Sequence, residues 1–180
     1  MHLSLLFLVI ISILKVVICT PSFYIDYDSN TFVKDGKPFK YVSGSIHSYR
    51  IPKELWYDRL YKMWAAGLNA IETYIFWNEH ELEEGVYNFD GQYNVFEFMQ
   101  IAQKIGFVVI LRPGPYICGE HEYGGLPWWL LKNGTDTIIP RSSEANYMNA
   151  VNKWFSVLLP KVYPFLYKNG GPIITVQVIC

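Results

Sequence analysis

The chain has 180 residues, of which 51% are hydrophobic and 17% charged, so it can bury a globular core and is not a disordered segment. Fifteen Lys and Arg against sixteen Asp and Glu exclude the charge pattern of a protein that binds nucleic acid or an anionic membrane. These values favour a neutral partner.

The first segment, from Leu3 to Cys19, is apolar apart from two serines and Lys15. A membrane-spanning helix needs about 20 predominantly apolar residues, and Lys15 interrupts the run before that length is reached. We therefore interpret residues 1–20 as a signal peptide, with an uncleaved anchor as the alternative, and expect no membrane segment after cleavage.

Two further features bear on a secreted chain. Asn133 begins an Asn-Gly-Thr triplet, which is an acceptor for N-glycosylation. Once the first segment is removed, Cys118 and Cys180 are too few for a disulfide framework, so packing must stabilise the fold. No evident base accompanies Cys118, and we expect it to be a buried free thiol.

The first predicted elements are a hairpin, a strand and a helix. From Thr31 to Tyr41, β-forming residues are interrupted at Asp35 and Gly36, a dipeptide typical of tight hairpin turns. Residues 41–46 then form a predicted first core strand. A first helix opens at Pro52 and ends at Gly67, and its predicted apolar face is formed by Trp56, Leu60, Met63 and Trp64.

The middle of the chain repeats this order. Residues 68–77 are rich in strand-forming types and predict a second strand. Asn94 can cap a second helix, which Gly106 ends. Residues 107–111 are continuously apolar, as in a parallel strand covered on both faces, and form a predicted third strand.

The last elements are a third helix and a fourth strand. The helix can start at Ser143, and Pro160 and Pro164 are expected to kink or end it. Residues 172–178 predict the fourth strand. Alternating strands and helices give parallel βαβ units and an α/β fold, either an open sheet or a closed barrel. No glycine-rich phosphate loop follows the first strand, which disfavours a nucleotide-binding sheet.

Polar and aromatic residues gather where the predicted strands end. In a closed barrel of parallel strands, this edge is the active face. His47 and Tyr49 follow the first strand. The second strand is followed by Tyr74, Trp77, Asn78 and Glu79, and the third by Arg112 to Glu122.

Three long motifs carry a resemblance to a known family: AGLNAIETYIFWNEHE, RPGPYICGEHEYGGLPWWL and NGGPIITVQV. In this order they resemble the β-galactosidases of glycoside hydrolase family 35. The resemblance implies that residues 21–180 are the N-terminal half of a (β/α)8 TIM barrel, a partial catalytic domain with about four parallel strands, truncated after strand four. It also implies retaining hydrolysis of terminal β-linked galactose, β-galactoside glycans as partners, no cofactor, and a lysosomal or extracellular location.

The resemblance assigns four residues to substrate binding. Tyr74 matches a tyrosine that contacts the sugar, and Glu120 matches a glutamate that accepts hydrogen bonds from galactose hydroxyls. Cys118 and Gly119 line the same pocket. The chain departs from the family at Gly119, where alanine is usual, and at His121, where tryptophan is common.

The resemblance places neither catalytic carboxylate within the chain. A retaining glycosidase needs two carboxyl groups about 5–5.5 Å apart. The family's acid/base glutamate follows strand four in a VQVENEYG motif, whereas here Val178 precedes Ile179 and Cys180, and the nucleophile lies further on. We do not favour Glu79 and Glu120 as substitutes. No metal site is expected either, because His47, His80 and His121 are far apart in sequence and no HExxH spacing occurs.

Three hypotheses follow. The first is a β-galactosidase whose present 180 residues are inactive alone. The second is a noncatalytic sugar-binding or regulatory protein that uses Tyr74 and Glu120. The third is a homologue with another specificity, such as a β-glucosidase or a galactanase.

Overall fold

The structure is a computed structural model that describes residues 20–132 and 138–178. Nearly all of the predicted signal peptide and the predicted glycosylation site at Asn133 lie outside the described residues. In the part of the chain that is described, no helix has the length and apolar character needed to cross a membrane.

A small antiparallel sheet comes first. It consists of β1 (Phe23–Asp26), β2 (Thr31–Lys34) and β3 (Lys37–Phe39), in that order. The predicted hairpin is confirmed, because Asp35 and Gly36 connect β2 to β3 with φ angles of 51° and 74°. Positive φ at both central residues is the geometry that matches the twist of paired strands. The strand β1 was not predicted.

The second sheet has four parallel strands in the order β4-β5-β6-β7. The α/β prediction and the number of strands are therefore confirmed. Each strand is shorter than its predicted segment or shifted by one residue. The bounds are Ser43–Ser45 for β4, Ala70–Tyr74 for β5, Val108–Arg112 for β6 and Ile173–Val176 for β7.

The α-helices connect and cover these strands. They are α1 (Trp56–Ala65), α2 (Trp77–His80), α3 (Val95–Ile105) and α4 (Ala145–Val162). The short α2 corrects the prediction that strand two reaches Trp77. The pairing of β5 with β6 ends at Tyr74 and Arg112, and α2 begins at Trp77.

The ends of α3 and α4 have identifiable causes. The Asn94 side chain accepts a hydrogen bond from the Glu97 amide at 2.9 Å, and Gly106 ends α3 with a φ of 115°, both as predicted. Helix α4 begins after Glu144, whose carboxylate accepts hydrogen bonds from the Asn146 and Tyr147 amides at 2.7 and 2.8 Å.

Pro160 lies inside α4 and does not end it. Pro160 is exposed, and so is Ser156, whose carbonyl would otherwise accept its missing amide hydrogen bond. That carbonyl can bond to water instead. The helix ends at Val162, directly before a 3₁₀ turn that contains Pro164.

The core lies between the second sheet and the helices. Tryptophans of three helices lie there: Trp77 stacks on Trp154 with centroids 5.8 Å apart, and Trp56 packs edge-on against Phe98. The largest side chains that are fully buried in this layer are Trp56, Trp77, Trp154, Phe98, Leu60, Ile71, Ile75, Met99, Leu111, Leu126 and Leu158.

Candidate functional site

The two faces of β5 differ in chemistry. Side chains alternate along a strand, so Ile71 and Ile75 point toward the helices while Glu72 and Tyr74 point to the opposite face. A charged residue in an otherwise apolar strand needs a partner on that face. Glu72 therefore indicates that the second face is a polar site.

Glu72 is held by the strands on both sides of it. Its carboxylate lies 3.0 Å from Arg112 Nη1 on β6, and it accepts a hydrogen bond from the Ser45 hydroxyl on β4. The Glu72 and Arg112 side chains are only 17% and 19% exposed, so water screens the ion pair weakly. The Arg112 guanidinium also lies 4.3 Å from the centre of the Tyr74 ring.

His47 follows β4 and packs beside Tyr74, with ring centres 5.3 Å apart. Its Nδ1 lies 3.4 Å from the Tyr74 amide and can accept this N–H. Burial lowers the pKa of His47 below its usual value, and the nearby Glu72 carboxylate only partly opposes this shift. The imidazole is therefore neutral at neutral pH and acts as an acceptor at Nδ1.

Tyr74 joins this cluster to the loop that follows β6. The residue is 3% exposed, and its hydroxyl lies 3.5 Å from the Cys118 carbonyl. Burial raises the pKa of the Tyr74 hydroxyl, so the group stays protonated and can donate. The predicted substrate-binding residues Tyr74 and Cys118 thus lie together, although 44 positions separate them in sequence.

The loop carrying Glu120 is closed by its own backbone. The Ile117 amide donates to the Gly124 carbonyl at 2.8 Å, and the Gly124 amide donates to the His121 carbonyl at 3.1 Å. Arg50, after β4, donates a hydrogen bond to the Gly119 carbonyl. Glu120 itself is exposed and has a φ of 47°, in the left-handed region.

The prediction that Cys118 is buried is wrong. It has no disulfide partner among the described residues, as expected, but its side chain is exposed. The reason is its place on the loop. Ile117, which is 2% exposed, and Gly119 on either side face the interior, so the side chain between them faces solvent.

The other carboxylates of this region either bond to neighbouring groups of the protein or are exposed. Glu79 Oε1 lies 3.1 Å from His121 Nε2. Glu81 is 2% exposed and accepts hydrogen bonds from Trp77 Nε1 at 2.5 Å and the Gly85 amide at 2.8 Å. Glu83 and Glu84 are exposed, and Glu84 Oε1 lies 3.8 Å from Lys153 Nζ. In the described ranges, no group of three or more His, Cys, Asp and Glu side chains is arranged to hold a metal.

Sequence reasoning missed two residues that organise this site. Glu72 could have been found as the only charge within a strand of apolar and β-forming residues. Arg50 gave no such signal, because it lies in a short 3₁₀ helix and its partner, the Gly119 carbonyl, is 69 positions away.

A profile of the glycosyl hydrolases family 35 matches residues 31–179. The chain belongs to this family. The profile spans both motifs that meet at Tyr74 and Cys118.

Family 35 membership agrees with the similarity to individual proteins. The chain is 60% identical over 157 residues to a β-galactosidase from Bos taurus, covering 87% of this chain and 24% of the relative. It is 56% identical over 156 residues to a β-galactosidase from Homo sapiens, with 87% and 23% covered. The chain thus spans about a quarter of the length of the curated relatives it matches.

Solved structures support the fold. An exo-β-1,4-mannosidase from Opitutaceae bacterium strain TAV5 matches with a TM-score of 0.59 at 14% identity, covering 87% of this chain and 26% of that one. A β-galactosidase from Marinomonas ef1 matches with a TM-score of 0.58 at 14% identity, covering 77% and 21%. The fold is therefore the N-terminal half of a (β/α)8 barrel, as the family resemblance implied.

Proposed function

We propose that this chain supplies the galactose-binding part of a retaining β-galactosidase. Four residues would form the sugar site: Tyr74, Cys118, Gly119 and Glu120. The observation that carries this proposal is the contact between the Tyr74 hydroxyl and the Cys118 carbonyl. It joins two motifs of the family resemblance at the edge of the sheet where parallel barrels bind their substrates.

The side chains suit a neutral sugar. Glu120 is exposed beside the cluster, and a carboxylate accepts strong hydrogen bonds from hydroxyl groups. The rings of Tyr49, Tyr74 and Phe76 lie close together and offer flat apolar surfaces with polar edges. The substrates would be β-galactoside glycans or glycoconjugates. They would be met in the lysosome or outside the cell, after cleavage of residues 1–20 and glycosylation of Asn133.

We also propose that the 180 residues do not cleave the glycosidic bond by themselves. Retaining hydrolysis needs two carboxyl groups about 5–5.5 Å apart, both free to act on the sugar. Glu72 is bound by Arg112 and Ser45, and Glu79 is bound by His121. Glu120 is exposed and would contact the sugar, but one carboxyl group cannot serve as both nucleophile and acid/base.

A hydrolysis assay tests this part of the proposal. Purified chain incubated with an aryl β-galactoside should release no aryl alcohol above the uncatalysed rate. Turnover that disappears in Glu120→Gln would contradict it, because a local carboxylate would then be performing the chemistry.

A titration tests the sugar site. Galactose should quench the intrinsic fluorescence of the chain in a saturable way, and Glu120→Gln and Tyr74→Phe should each weaken binding at least tenfold. Glu122→Gln is the matched control, because Glu122 is an exposed carboxylate two positions away and should bind galactose normally. Tighter binding of glucose than of galactose would instead favour a β-glucosidase.

A further inference from the structure

His121 directly follows Glu120 and differs from the tryptophan that the family commonly has there. Its side chain is 20% exposed, and its ring centre lies 5.3 Å from those of Tyr49 and Phe76. Its Nε2 atom lies 3.1 Å from Glu79 Oε1 and 2.8 Å from Asn78 Nδ2. One ring nitrogen therefore meets two polar groups of the short helix α2.

The chemistry of these partners determines which nitrogen carries the proton. An ionised carboxylate only accepts hydrogen bonds, so His121 Nε2 must carry a hydrogen to bond Glu79. The same N–H can reach Asn78 only if that amide presents its oxygen. Asn78 Oδ1 is buried without a partner among the described atoms, and a half-turn of the amide would bring it to this N–H. The imidazole then donates to both residues of α2.

The backbone next to His121 explains why this contact matters. Left-handed geometry is unfavourable for a residue other than glycine, and it persists only where the surroundings fix it. Glu120, at φ 47°, has one fixed neighbour on each side. Arg50 holds the Gly119 carbonyl, and Glu79 holds the His121 ring.

We propose that His121 is a positioning residue for Glu120. By donating from Nε2 to Glu79 and Asn78, it fixes the backbone on the C-terminal side of Glu120 and keeps the carboxylate where it can accept hydrogen bonds from a sugar. This inference rests on the proposed sugar-binding function. The substrate itself need not touch His121.

Replacement by a residue that keeps the donor distinguishes positioning from simple packing. The Nε2 amide nitrogen of glutamine takes nearly the place of the histidine Nε2, so His121→Gln retains the N–H donor while His121→Ala removes it. Galactose titrations of the full chain should show at least tenfold weaker binding in His121→Ala and no more than threefold weaker binding in His121→Gln. Glu122→Ala is the control, because it shortens an exposed neighbour and should change nothing.

The outcomes separate the two proposals. If the unaltered chain binds no galactose, the proposed function fails, and the role of His121 fails with it. If the chain binds galactose and Glu120→Gln does not, but His121→Ala binds normally, only the role of His121 is overturned. Equal losses in His121→Ala and His121→Gln would also overturn it, since packing rather than donation would then matter.

A spectroscopic measurement tests the contact without any ligand. In chain labelled with ¹⁵N-histidine, His121 is identified as the signal lost in His121→Gln. It should show a protonated Nε2 at neutral pH, and this signal should shift in Glu79→Gln. A neutral ring protonated only at Nδ1 would overturn the inference, because Nε2 could not then donate to Glu79.

Discussion

The two faces of the parallel sheet are stabilised in different ways. On the helix-covered face, Ile71, Val109 and Leu111 are fully buried against aromatic and aliphatic side chains of the helices. On the opposite face, Glu72 and Arg112 form an ion pair across neighbouring strands. The first face depends on the apolar area removed from water, which many side chains share. The second depends on single pairs, each of which fails if one partner is lost.

This difference affects where function can lie. Burial of an apolar side chain stabilises a fold by about 1.5–3 kcal/mol, and this contribution has no preferred direction. A buried charge has a specific and directional requirement for its partner. The polar face can therefore hold Tyr74 and the Glu120 loop in a defined geometry, while the apolar face supplies most of the stability.

The largest expected effect comes from the apolar face. Trp154→Ala should lower the free energy of unfolding by about 4 kcal/mol, because it opens a large cavity in a fully buried cluster. The Trp154 indole stacks on Trp77 and on Phe89, with centroids 5.8 and 6.2 Å apart. Urea unfolding followed by circular dichroism measures the loss.

A second substitution at the same position sharpens this test. Trp154 Nε1 is buried without a hydrogen-bond partner among the described atoms, so Trp154→Phe loses area but removes no hydrogen bond. It should cost less than half as much as Trp154→Ala. Equal losses for the two variants would show that area does not determine the stability of this face.

The next largest effect comes from the polar face. Arg112→Ala should lower the free energy of unfolding by about 3 kcal/mol, because it leaves the Glu72 carboxylate largely buried and without its cation. The double variant Arg112→Met, Glu72→Gln should recover at least half of this loss in urea unfolding. If the double variant is as unstable as the single one, the face does not depend on the pair.

The sequence predicted the apolar face well and the polar face poorly. The reason is the separation in sequence of the residues that interact, which is short in the first case and long in the second. The helix α3, with its cap at Asn94 and its end at Gly106, is encoded by residues next to one another. The hairpin at Asp35 and Gly36 is equally local. Such features follow from short patterns and were found without a structure.

The polar face depends on contacts between distant segments. Arg50 finds its partner only when β4 and the loop after β6 come together in the sheet. Cys118 looked like a small buried thiol, and its exposure follows from the direction of the loop rather than from its neighbours in sequence. The residue pattern placed Tyr74 and the loop of Glu120 among many polar and aromatic residues at the strand ends, and only the family resemblance assigned these two residues to sugar binding.

His80 is a polar exception on the apolar side and gives a pH-dependent prediction. It is 5% exposed, stacks on Phe89 at 4.6 Å, and burial lowers its pKa from 6.5 to about 4. Between these values the unfolded chain binds a proton that the folded chain excludes, so stability falls as pH falls. The expected loss from pH 7 to pH 5 is about 2 kcal/mol.

A variant that does not titrate isolates this contribution. The neutral imidazole donates from Nδ1 to the Asn88 carbonyl at 2.8 Å, and the amide of His80→Asn can donate in the same place. Unfolding by urea at several pH values should show a loss toward pH 5 that is smaller by about 2 kcal/mol in His80→Asn. If the free energy of unfolding changed with pH in the same way in both proteins, burial would not lower the pKa of His80 in the folded state.

The smallest expected effect tests how tightly the Glu120 loop meets the polar face. A methyl group at Gly119 would lie 3.7 Å from the Tyr74 ring and 3.8 Å from the Phe76 ring, which is ordinary contact. Gly119→Ala should therefore leave the free energy of unfolding unchanged or raise it by about 0.5 kcal/mol, because alanine reduces the freedom of the unfolded chain. Gly124→Ala is the matched contrast, since Gly124 has a φ of 63° and its methyl group would overlap the Tyr116 ring. A clear loss of stability in Gly119→Ala would show that the loop lies closer to Tyr74 than these contacts allow.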